Sequence, residues 1–443
     1  NYIDDDVGSI EVGLMKIKLI LVFCVLLGLS WFTAISEAVN NPKKVQEHLT
    51  RAAELEAQGV YVDAVTEYEQ ALTYVPGDTA ISLKMAEAQL QTGNSKKFVN
   101  ICKDAAEQNQ KDAAAMDRLM NYYVERNDEA SAVRYLSEFT EEYPKNENAL
   151  SWLVRLKGSY EELFFNYEEP GPVVHNSMVV SREGKYGLAD GLGGELLEPE
   201  YEEVHPYSQD DMALIRKDGA YIYIDRDAQT RLVPDASYEN LGMMSSGRTV
   251  ASVNGKYGLL DESLQPLTEF AWDDLTQISD SVGACAQNGK WALIGKNGKE
   301  KTEYVYEDVI RDAFGFCAGQ KRIFVKENGS YHLVDKKGSP VGDLTFEDAQ
   351  IFPEEGYAAV CMGGKWGFAD AKGRLVIECQ YEDACSFSNG FAAVCVGGKW
   401  GYIDENGNQI VEPKFEEVTP ISEIGTASVK QGEWMLIQLE LFR

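Results

Sequence analysis

A repeat of about 35 residues is the feature that most constrains the fold of this chain. One aromatic position recurs eight times after residue 171, at intervals of 34 to 40 residues: Tyr186, Tyr221, Tyr257, Trp291, Tyr331, Trp366, Trp400 and Trp434. A unit of this length cannot bury its own apolar face, so it must pack against its neighbours. The sequence therefore predicts an assembly of eight small, similar modules.

The clearest unit has the pattern of short strands joined by turns. In FAAVCVGGKWGYID (391–404), apolar and polar residues alternate around a Gly-Gly-Lys turn, which predicts a β-hairpin. Six units place Asp four residues after the anchor aromatic, as at Asp404, where it is predicted to cap a turn. Four units place Gly directly after the anchor, as at Gly401, which predicts a close approach of a neighbouring backbone or ring.

This unit resembles the WG repeat (KWGxID…G…V..P.YD), a β-repeat family common in bacterial surface proteins. The resemblance is strongest at Trp366 and Trp400 and weaker at Tyr221 and Tyr331, where Gly is missing. It implies an all-β repeat module over residues 173–443 and no particular reaction. Closure into a β-propeller of eight small blades is the preferred arrangement because it removes exposed strand edges. An open β-hairpin array or a β-solenoid is the alternative.

Residues 41–157 carry a second repeat, with a helical period. Gly59, Gly93 and Asn127 recur at intervals of 34 residues, and so do Ala64, Phe98 and Ala132. Apolar residues between these markers follow a spacing of 3.6 residues, which predicts pairs of amphipathic helices. The order of helix, turn, helix and Pro76 resembles the tetratricopeptide (TPR) repeat, so we expect a short α-solenoid followed by a linker over 158–172.

The resemblance to the TPR family also implies a concave surface lined by the first helix of each pair. By position, that surface includes the following residues: Glu56, Glu87, Asp117, Asn121 and Glu125. An acidic groove of this kind suits a basic or neutral partner. The alternative is a structural spacer or dimerisation arm that binds no peptide.

The N-terminus predicts export. Lys16 and Lys18 precede an uncharged apolar run from Leu19 to Ile35, and Ser36-Glu37-Ala38 offers small residues at a cleavage site. This pattern is typical of a secretory signal peptide over 15–38, and the same run is long enough to be an uncleaved membrane anchor. Residues 1–14 are interpreted as an extension of the gene model upstream of Met15. The protein is therefore expected to be secreted or otherwise extracytoplasmic, and anchored if the segment is not cleaved.

The net charge of the chain limits the kinds of molecule that it is expected to bind. The chain has 41 Lys and Arg against 72 Asp and Glu, a formal net charge of −31. This balance argues against nucleic acid and against a basic patch for a membrane surface. Acidic pairs follow the second aromatic of most units, as at Glu382-Asp383, and would form a ring or stripe if the units align. Such a ring would bind cations or a basic ligand, or would simply be solvated turns.

No cofactor or metal site is predicted. The four histidines are far apart in sequence, no Cys pair forms CxxC, and no phosphate-binding or hydrolase motif occurs. The cysteines of the strands, such as Cys361 and Cys395, are interpreted as small buried apolar residues. A Cys379–Cys385 disulfide is suggested by their proximity alone.

The favoured function is binding without catalysis: a scaffold that presents its repeats to a protein or to a cell-envelope partner. A module that recognises cell-wall glycan is the alternative, and an enzyme with its site at the mouth of a propeller is the third hypothesis. Glycan binding predicts exposed aromatic rings in register, whereas a protein scaffold predicts buried rings. The longest interval between anchors contains a locally basic insertion, residues 311–326, which is a candidate contact loop.

Overall fold

The computed structural model describes residues 41–442. They form two compact units, one ending at Trp152 and one beginning at Leu153. The predicted gene-model extension (1–14) and the signal peptide or anchor (15–38) lie outside the described residues. Among residues 41–442, no helix is both long enough and apolar enough to cross a membrane.

The first unit is a series of antiparallel helices. The helices are α1 (41–57), α2 (Tyr61–Tyr74), α3 (Thr79–Gln91), α4 (Ser95–Gln108), α5 (Ala114–Val124), α6 (Glu129–Glu142) and α7 (Glu147–Gly158). The turns inside the pairs use the left-handed conformation, with φ of 76° at Gly59, 81° at Gly93 and 51° at Asn127. Ala64 and Phe98 are fully buried where the helices of a pair cross. The helical repeat predicted from the 34-residue period is confirmed.

The second unit consists of eight small antiparallel sheets, which we number as blades in chain order. Blade 1 contains β2 (Ser177–Arg182), β3 (Lys185–Asp190) and β4 (Glu195–Tyr201); blade 2 contains β5 (Glu203–His205), β6 (Ala213–Lys217), β7 (Ala220–Ile224) and β8 (Thr230–Leu232); blade 3 contains β9 (Asn240–Leu241), β10 (Arg248–Val253) and β11 (Lys256–Asp261); blade 4 contains β12 (Asp274–Leu275), β13 (Val282–Gln287) and β14 (Lys290–Gly295).

The remaining blades repeat this order. Blade 5 contains β15 (Asp308–Val309), β16 (Arg322–Glu327), β17 (Ser330–Asp335) and β18 (Pro340–Phe346); blade 6 contains β19 (Asp348–Ala349), β20 (Ala358–Met362), β21 (Lys365–Ala369) and β22 (Leu375–Tyr381); blade 7 contains β23 (Asp383–Ala384), β24 (Phe391–Val396), β25 (Lys399–Asp404) and β26 (Gln409–Phe415); blade 8 contains β27 (Glu417–Val418), β28 (Thr426–Gln431) and β29 (Glu433–Leu439), with β1 (Tyr160–Leu163) as its fourth strand. A short 3-10 helix, Glu440–Phe442, follows β29.

The blades close into a ring. Seven clusters of buried apolar side chains lie between successive blades from 1 to 8. An eighth cluster joins the ends, because Leu436 of blade 8 packs with Met178 and Val180 of blade 1. Burial of these faces supplies the main driving force for closure. The predicted eight-bladed propeller is therefore confirmed, and the open array is not observed.

The ring is also closed by backbone pairing. Strand β1 runs antiparallel to β29, with Tyr160 opposite Leu439 and Leu163 opposite Leu436. The last blade thus combines the two ends of the propeller unit, and its outer strand comes from a segment about 270 residues earlier in sequence. The sequence predicted a linker over 158–172, and the structure places β1 within that range.

The glycine after the anchor aromatic lets the fourth strand of a blade pass close to the third. A Cβ atom added at Gly401 would lie 2.4 Å from the carbonyl oxygen of Val411, and one at Gly367 would lie 2.6 Å from that of Ile377. The register between the two strands shifts at this glycine, as in a β-bulge. Close approach of a neighbouring backbone, predicted from the sequence, is the observed reason for glycine.

Candidate functional site

The acidic residues that follow the second aromatic hold the frame of the propeller together. In each of the eight blades, a carboxylate before the first strand accepts a hydrogen bond from a backbone N–H in the turn of the hairpin that follows. The pairs of acceptor and donor are Glu168 and Glu183, Glu202 and Gly219, Glu239 and Gly255, Asp273 and Asn288, Glu307 and Gly329, Glu347 with Gly363 and Gly364, Glu382 and Gly398, and Glu416 and Gly432. The first acid of each predicted pair is therefore a turn cap. The pKa of Glu382 is lowered, and the largest cause of this shift is the hydrogen bond that the backbone N–H of Gly398 donates to its carboxylate.

The second acid of each pair begins the first strand of the next blade. Several of these acids already have a partner: the Arg311 guanidinium lies 2.8 Å from Asp274, and the Tyr331 hydroxyl donates to Asp308 at 2.7 Å. Among the described residues, Asp348 and Asp383 accept a hydrogen bond only from the N–H of the residue that follows each of them. Within residues 41–442, no group of three or more His, Cys, Asp or Glu side chains is arranged to hold a metal ion.

The aspartates after the anchors cap the turn between the third and fourth strands. In six blades one carboxylate oxygen accepts the N–H groups two and four residues later, as Asp404 does from Asn406 at 3.0 Å and from Asn408 at 2.9 Å. The residue three positions after Asp takes positive φ, which is 78° at Gly407 and 60° at Leu264. The predicted turn is thus observed. Its positive-φ position is occupied by a residue other than glycine in some blades, as at Leu264.

The anchor aromatics lie on the third strand of blades 2 to 8, and Tyr186 lies on the equivalent strand β3 of the three-stranded blade 1. Trp366 is opposite Cys361 on one side and Tyr381 on the other, and Trp400 is opposite Cys395 and Phe415. Tyr221, Trp291 and Tyr331 are buried, Tyr257, Trp366, Trp400 and Trp434 are half-buried, and Tyr186 is exposed. The rings therefore form cross-strand pairs within the sheets.

The loops that precede β2 in blade 1 and the second strand in each other blade contribute residues to two adjoining cavities. We call these eight segments the mouth loops: 171–176, 206–212, 242–247, 276–281, 310–321, 350–357, 385–390 and 419–425. One cavity of about 270 Å³ is lined by residues of blades 1 to 6, including Met243, Phe314, Phe316 and Phe352. Residues from six blades can line one cavity only near the axis, so this apolar cavity occupies the centre of the ring.

A second cavity adjoins the first. It has a volume of about 550 Å³ and is lined by blades 1, 6, 7 and 8, with Glu354, Glu355 and Glu423 among its walls. Glu354 and His175 border both cavities. We call this second space the acidic cavity; together the two cavities receive residues from all eight blades.

The insertion at 311–326, predicted as a contact loop, supplies the wall of the apolar cavity. Asp312 accepts the N–H groups of Phe314 and Phe316, both at 2.9 Å, and so folds the loop back on itself. The loop reaches blade 4, where the N–H of Gln277 donates to the carbonyl of Gly315 at 2.8 Å. Burial raises the pKa of Asp312, although these backbone donors oppose the shift.

The residues predicted to line the TPR groove fall into two groups. Glu87 forms an ion pair with Arg118 at 2.5 Å, and Asp117 accepts hydrogen bonds from Asn148 at 3.1 Å and from the indole of Trp152 at 2.6 Å. These two carboxylates hold neighbouring helices together. Glu56 is half-buried, whereas Asn121 and Glu125 are exposed and accessible to a partner.

All seven cysteines of residues 41–442 are free thiols, so the suggested Cys379–Cys385 disulfide does not form. Five of them, including Cys361 and Cys395, are buried. Burial raises the pKa of Cys102 to about 12. A thiol with a raised pKa is a poor nucleophile, which agrees with the interpretation of these residues as small apolar side chains.

Comparison with known families matches both repeat systems. The WG-containing repeat matches residues 186–221, 333–366, 366–400 and 400–433, and a tetratricopeptide repeat matches residues 55–121. The chain carries WG repeats preceded by a TPR region. The WG match omits residues 222–332, where blades 3 and 4 have only isolated bridges in place of a fourth strand. The matched repeats therefore coincide with the most regular part of the ring.

Solved structures similar to the chain include several of low identity. A eukaryotic initiation factor is 12% identical over 57% of this chain and 77% of its own, with a TM-score of 0.41. Sqt1 of Saccharomyces cerevisiae is 10% identical over 64% of this chain and 99% of its own (TM-score 0.38), and the WD40 domain of SCAP from fission yeast is 8% identical over 65% and 100% (TM-score 0.39). No protein of curated function matches the chain.

TPR regions and WG-repeat propellers generally bind proteins, and an architecture that combines them is that of a protein-interaction scaffold. The roles found for the repeated residues agree with this. The recurring carboxylates, glycines and aromatics contact the propeller itself, whereas the mouth loops differ from blade to blade in length and composition. A constant frame that carries variable loops is a general solution for recognition.

Proposed function

We propose that this protein is a non-enzymatic scaffold that works outside the cytoplasm and binds a protein of the cell envelope. The observation that carries the proposal is that the repeated residues of the propeller stabilise its frame, whereas the variable residues line its cavities. All eight repeats use their recurring acids to cap turns, and the residues that vary line two adjoining cavities on the axis. Binding by the mouth loops is therefore the function that this arrangement supports best.

The extracytoplasmic location is proposed from the sequence at the N-terminus. Lys16 and Lys18 followed by the apolar run to Ile35 have the pattern of a signal peptide or anchor. Retention at the membrane or release would both leave the repeats outside the cytoplasm. Fractionation of the native host, with antibody detection of the chain in cytoplasmic and exported fractions, tests this part; recovery in the cytoplasmic fraction alone would contradict it.

The TPR region offers a second surface. Asn121, on the first helix of the third pair, and Glu125, directly after that helix, are exposed, while Asp117 on the same helix accepts a hydrogen bond from Trp152. The open part of the predicted groove is thus its later end, with one carboxylate available to a basic partner.

Co-sedimentation with isolated cell envelope tests the scaffold function. The chain from residue 41 onward is used, because a fragment that starts at residue 171 would lack β1 and leave blade 8 incomplete. We expect saturable pelleting that disappears after the envelope is treated with protease. Pelleting that survives protease and is reversed by free sugars would instead support the glycan-binding alternative. Absence of pelleting in either condition would contradict both.

A further inference from the structure

We propose that the mouth of the propeller binds a cationic peptide segment, inserting one large apolar side chain into the apolar cavity and placing a neighbouring Lys or Arg in the acidic cavity. This inference rests on the proposed scaffold function and names its partner class. It is carried by three features of the described chain: the size and lining of the apolar cavity, the charge of the mouth loops, and the contact between the two cavities.

The apolar cavity has the size for one side chain rather than for a large ligand. Its volume of about 270 Å³ is slightly below the range of roughly 300 to 1,000 Å³ typical of small-molecule sites. Phe314, Phe316 and Met243 line it together with Phe352 and Ile351. An aromatic or long aliphatic side chain that enters this space leaves water for an apolar surface, which is the usual way in which an anchor residue contributes to an interface.

The charge of the mouth loops selects a cationic partner. The eight loops contain seven carboxylates against two cationic side chains: Asp210, Asp211, Asp280, Asp312, Glu354, Glu355 and Glu423 against Arg311 and Lys321. Arg311 is already paired with Asp274 at 2.8 Å. The mouth loops therefore carry an excess of negative charge, which attracts a basic segment.

The carboxylates that line the acidic cavity differ in how far they are already engaged. Glu354 and Glu355 are exposed and make no hydrogen bond or ion pair within residues 41–442. By contrast, the Asp211 carboxylate is paired with Arg226 at 2.8 Å, and Glu423 accepts the N–H of Asn176 at 2.9 Å. Unpaired surface carboxylates lose no existing partner when a cationic group arrives.

The two cavities adjoin, so the two groups of the ligand must lie close together. Val174, His175, Pro353 and Glu354 line both cavities. A side chain in the apolar cavity and an ammonium or guanidinium in the acidic cavity would therefore contact the same four residues. Adjacent or nearly adjacent residues of one peptide can fill the apolar cavity and place a cation in the acidic cavity. A lone cation or a lone aromatic ring can do only one of these.

The test uses the full chain and a labelled short peptide with phenylalanine between two lysines, followed by fluorescence anisotropy. Two further peptides replace the phenylalanine by alanine or both lysines by glutamate. We expect saturable binding of the first peptide and weaker binding of the other two by roughly tenfold or more, equivalent to one good anchor or charge contact. Equal binding of the alanine peptide would reduce the interaction to charge alone and overturn the proposal, as would absence of binding.

Two variants connect the binding to the cavities. Glu354→Lys with Glu355→Lys should weaken binding of the phenylalanine peptide by roughly tenfold, and Phe314→Ala should weaken it without changing its salt dependence. The matched control is Glu378→Lys with Glu412→Lys, which makes the same charge change at exposed positions of β22 and β26. Equal loss in the control would overturn the assignment to the mouth.

The same variants separate this inference from the scaffold function. If the Glu354→Lys, Glu355→Lys chain still pellets with envelope and the peptide does not bind the unaltered chain, the site is wrong and the scaffold function stands. If the unaltered chain binds the peptide through the mouth but does not pellet with envelope, the site stands and the proposed envelope partner is wrong.

Discussion

The glycine after the anchor aromatic gives a direct test of how the blades are built. Gly401→Ala places a methyl group 2.4 Å from the carbonyl oxygen of Val411 and 2.7 Å from the nitrogen of Pro413. Real Cβ contacts are not this short, so β26 must move away from β25. Forcing an extra methyl group into packed structure costs about 1 to 3 kcal/mol, whereas the loss of flexibility in the unfolded chain returns only about 0.4 to 1 kcal/mol. We therefore expect a net loss of about 1.3 kcal/mol.

The expected change in melting temperature follows from the size of the unit. An unfolding entropy of about 2.1 cal/mol/K per residue over roughly 290 residues from Leu153 to Arg443 converts about 1.3 kcal/mol into a decrease of about 2 °C. Differential scanning calorimetry of the chain from residue 41 onward measures it. The matched control is Gly171→Ala, where the added methyl group would lie 3.5 Å from the nearest atom, an ordinary contact. That variant should melt within about 1 °C of the unaltered protein.

Equal melting temperatures for Gly401→Ala and Gly171→Ala would refute the reasoning. Blade 5 has a different strand geometry, in which a residue with a side chain occupies this position. There His332 occupies the position of the glycine and pairs directly with Thr345, and the register shift lies after it. If β25 and β26 adopt that register without loss of stability, close backbone approach is not what requires glycine in the repeat.

Three further predictions follow from particular contacts. A chain that begins at residue 166 lacks β1 and should melt at a lower temperature than one that begins at residue 153, because four residues of β29 lose their partners; calorimetry compares them. Since the folded-state pKa of Glu382 lies below its usual value of 4.5, this group stabilises the fold at neutral pH and the contribution disappears as pH falls through the folded-state pKa; Glu382→Gln should therefore show a smaller loss of melting temperature between about pH 6 and about pH 3. Trp152→Phe removes the N–H donor to Asp117 and should lower the unfolding free energy of the TPR region by about 1 to 3 kcal/mol in urea titrations.

Much of the fold could be predicted from the sequence because several residues of each repeat have a structural role within that repeat alone. The Asp of each unit, as at Asp404, and the glycine after the anchor, as at Gly401, have local functions that a single unit reveals. Strand β1 could not be predicted in this way. Its sequence, YEEL, has no clear strand pattern, and it pairs with a strand some 270 residues away. Strand formation there depends on the partner edge rather than on local preference.

The mouth cavities were missed for a related reason. Their walls come from the mouth loops, which are the parts of each unit that depart from the repeat, so comparison between units gives no common signal. The single clue was the 40-residue interval between Trp291 and Tyr331, whose extra residues bring Phe314 and Phe316 into the apolar cavity. The other walls, such as Met243 in blade 3, look like ordinary loop residues until closure of the ring brings six blades to one axis.

This division explains why a repeat family can be recognised without its ligand being known. The residues that define the WG repeat are used inside the ring: Glu382 caps the hairpin turn at Gly398, and Trp400 pairs across the sheet with Phe415. In this chain, changes at such positions are expected to alter stability rather than the choice of ligand. We therefore expect specificity for a ligand to come from residues that do not hold the propeller frame together. Glu354, Glu355 and Phe314 line the mouth cavities and are residues of this kind. A change of partner between WG-repeat propellers should therefore be sought in their mouth loops rather than in the repeat motif.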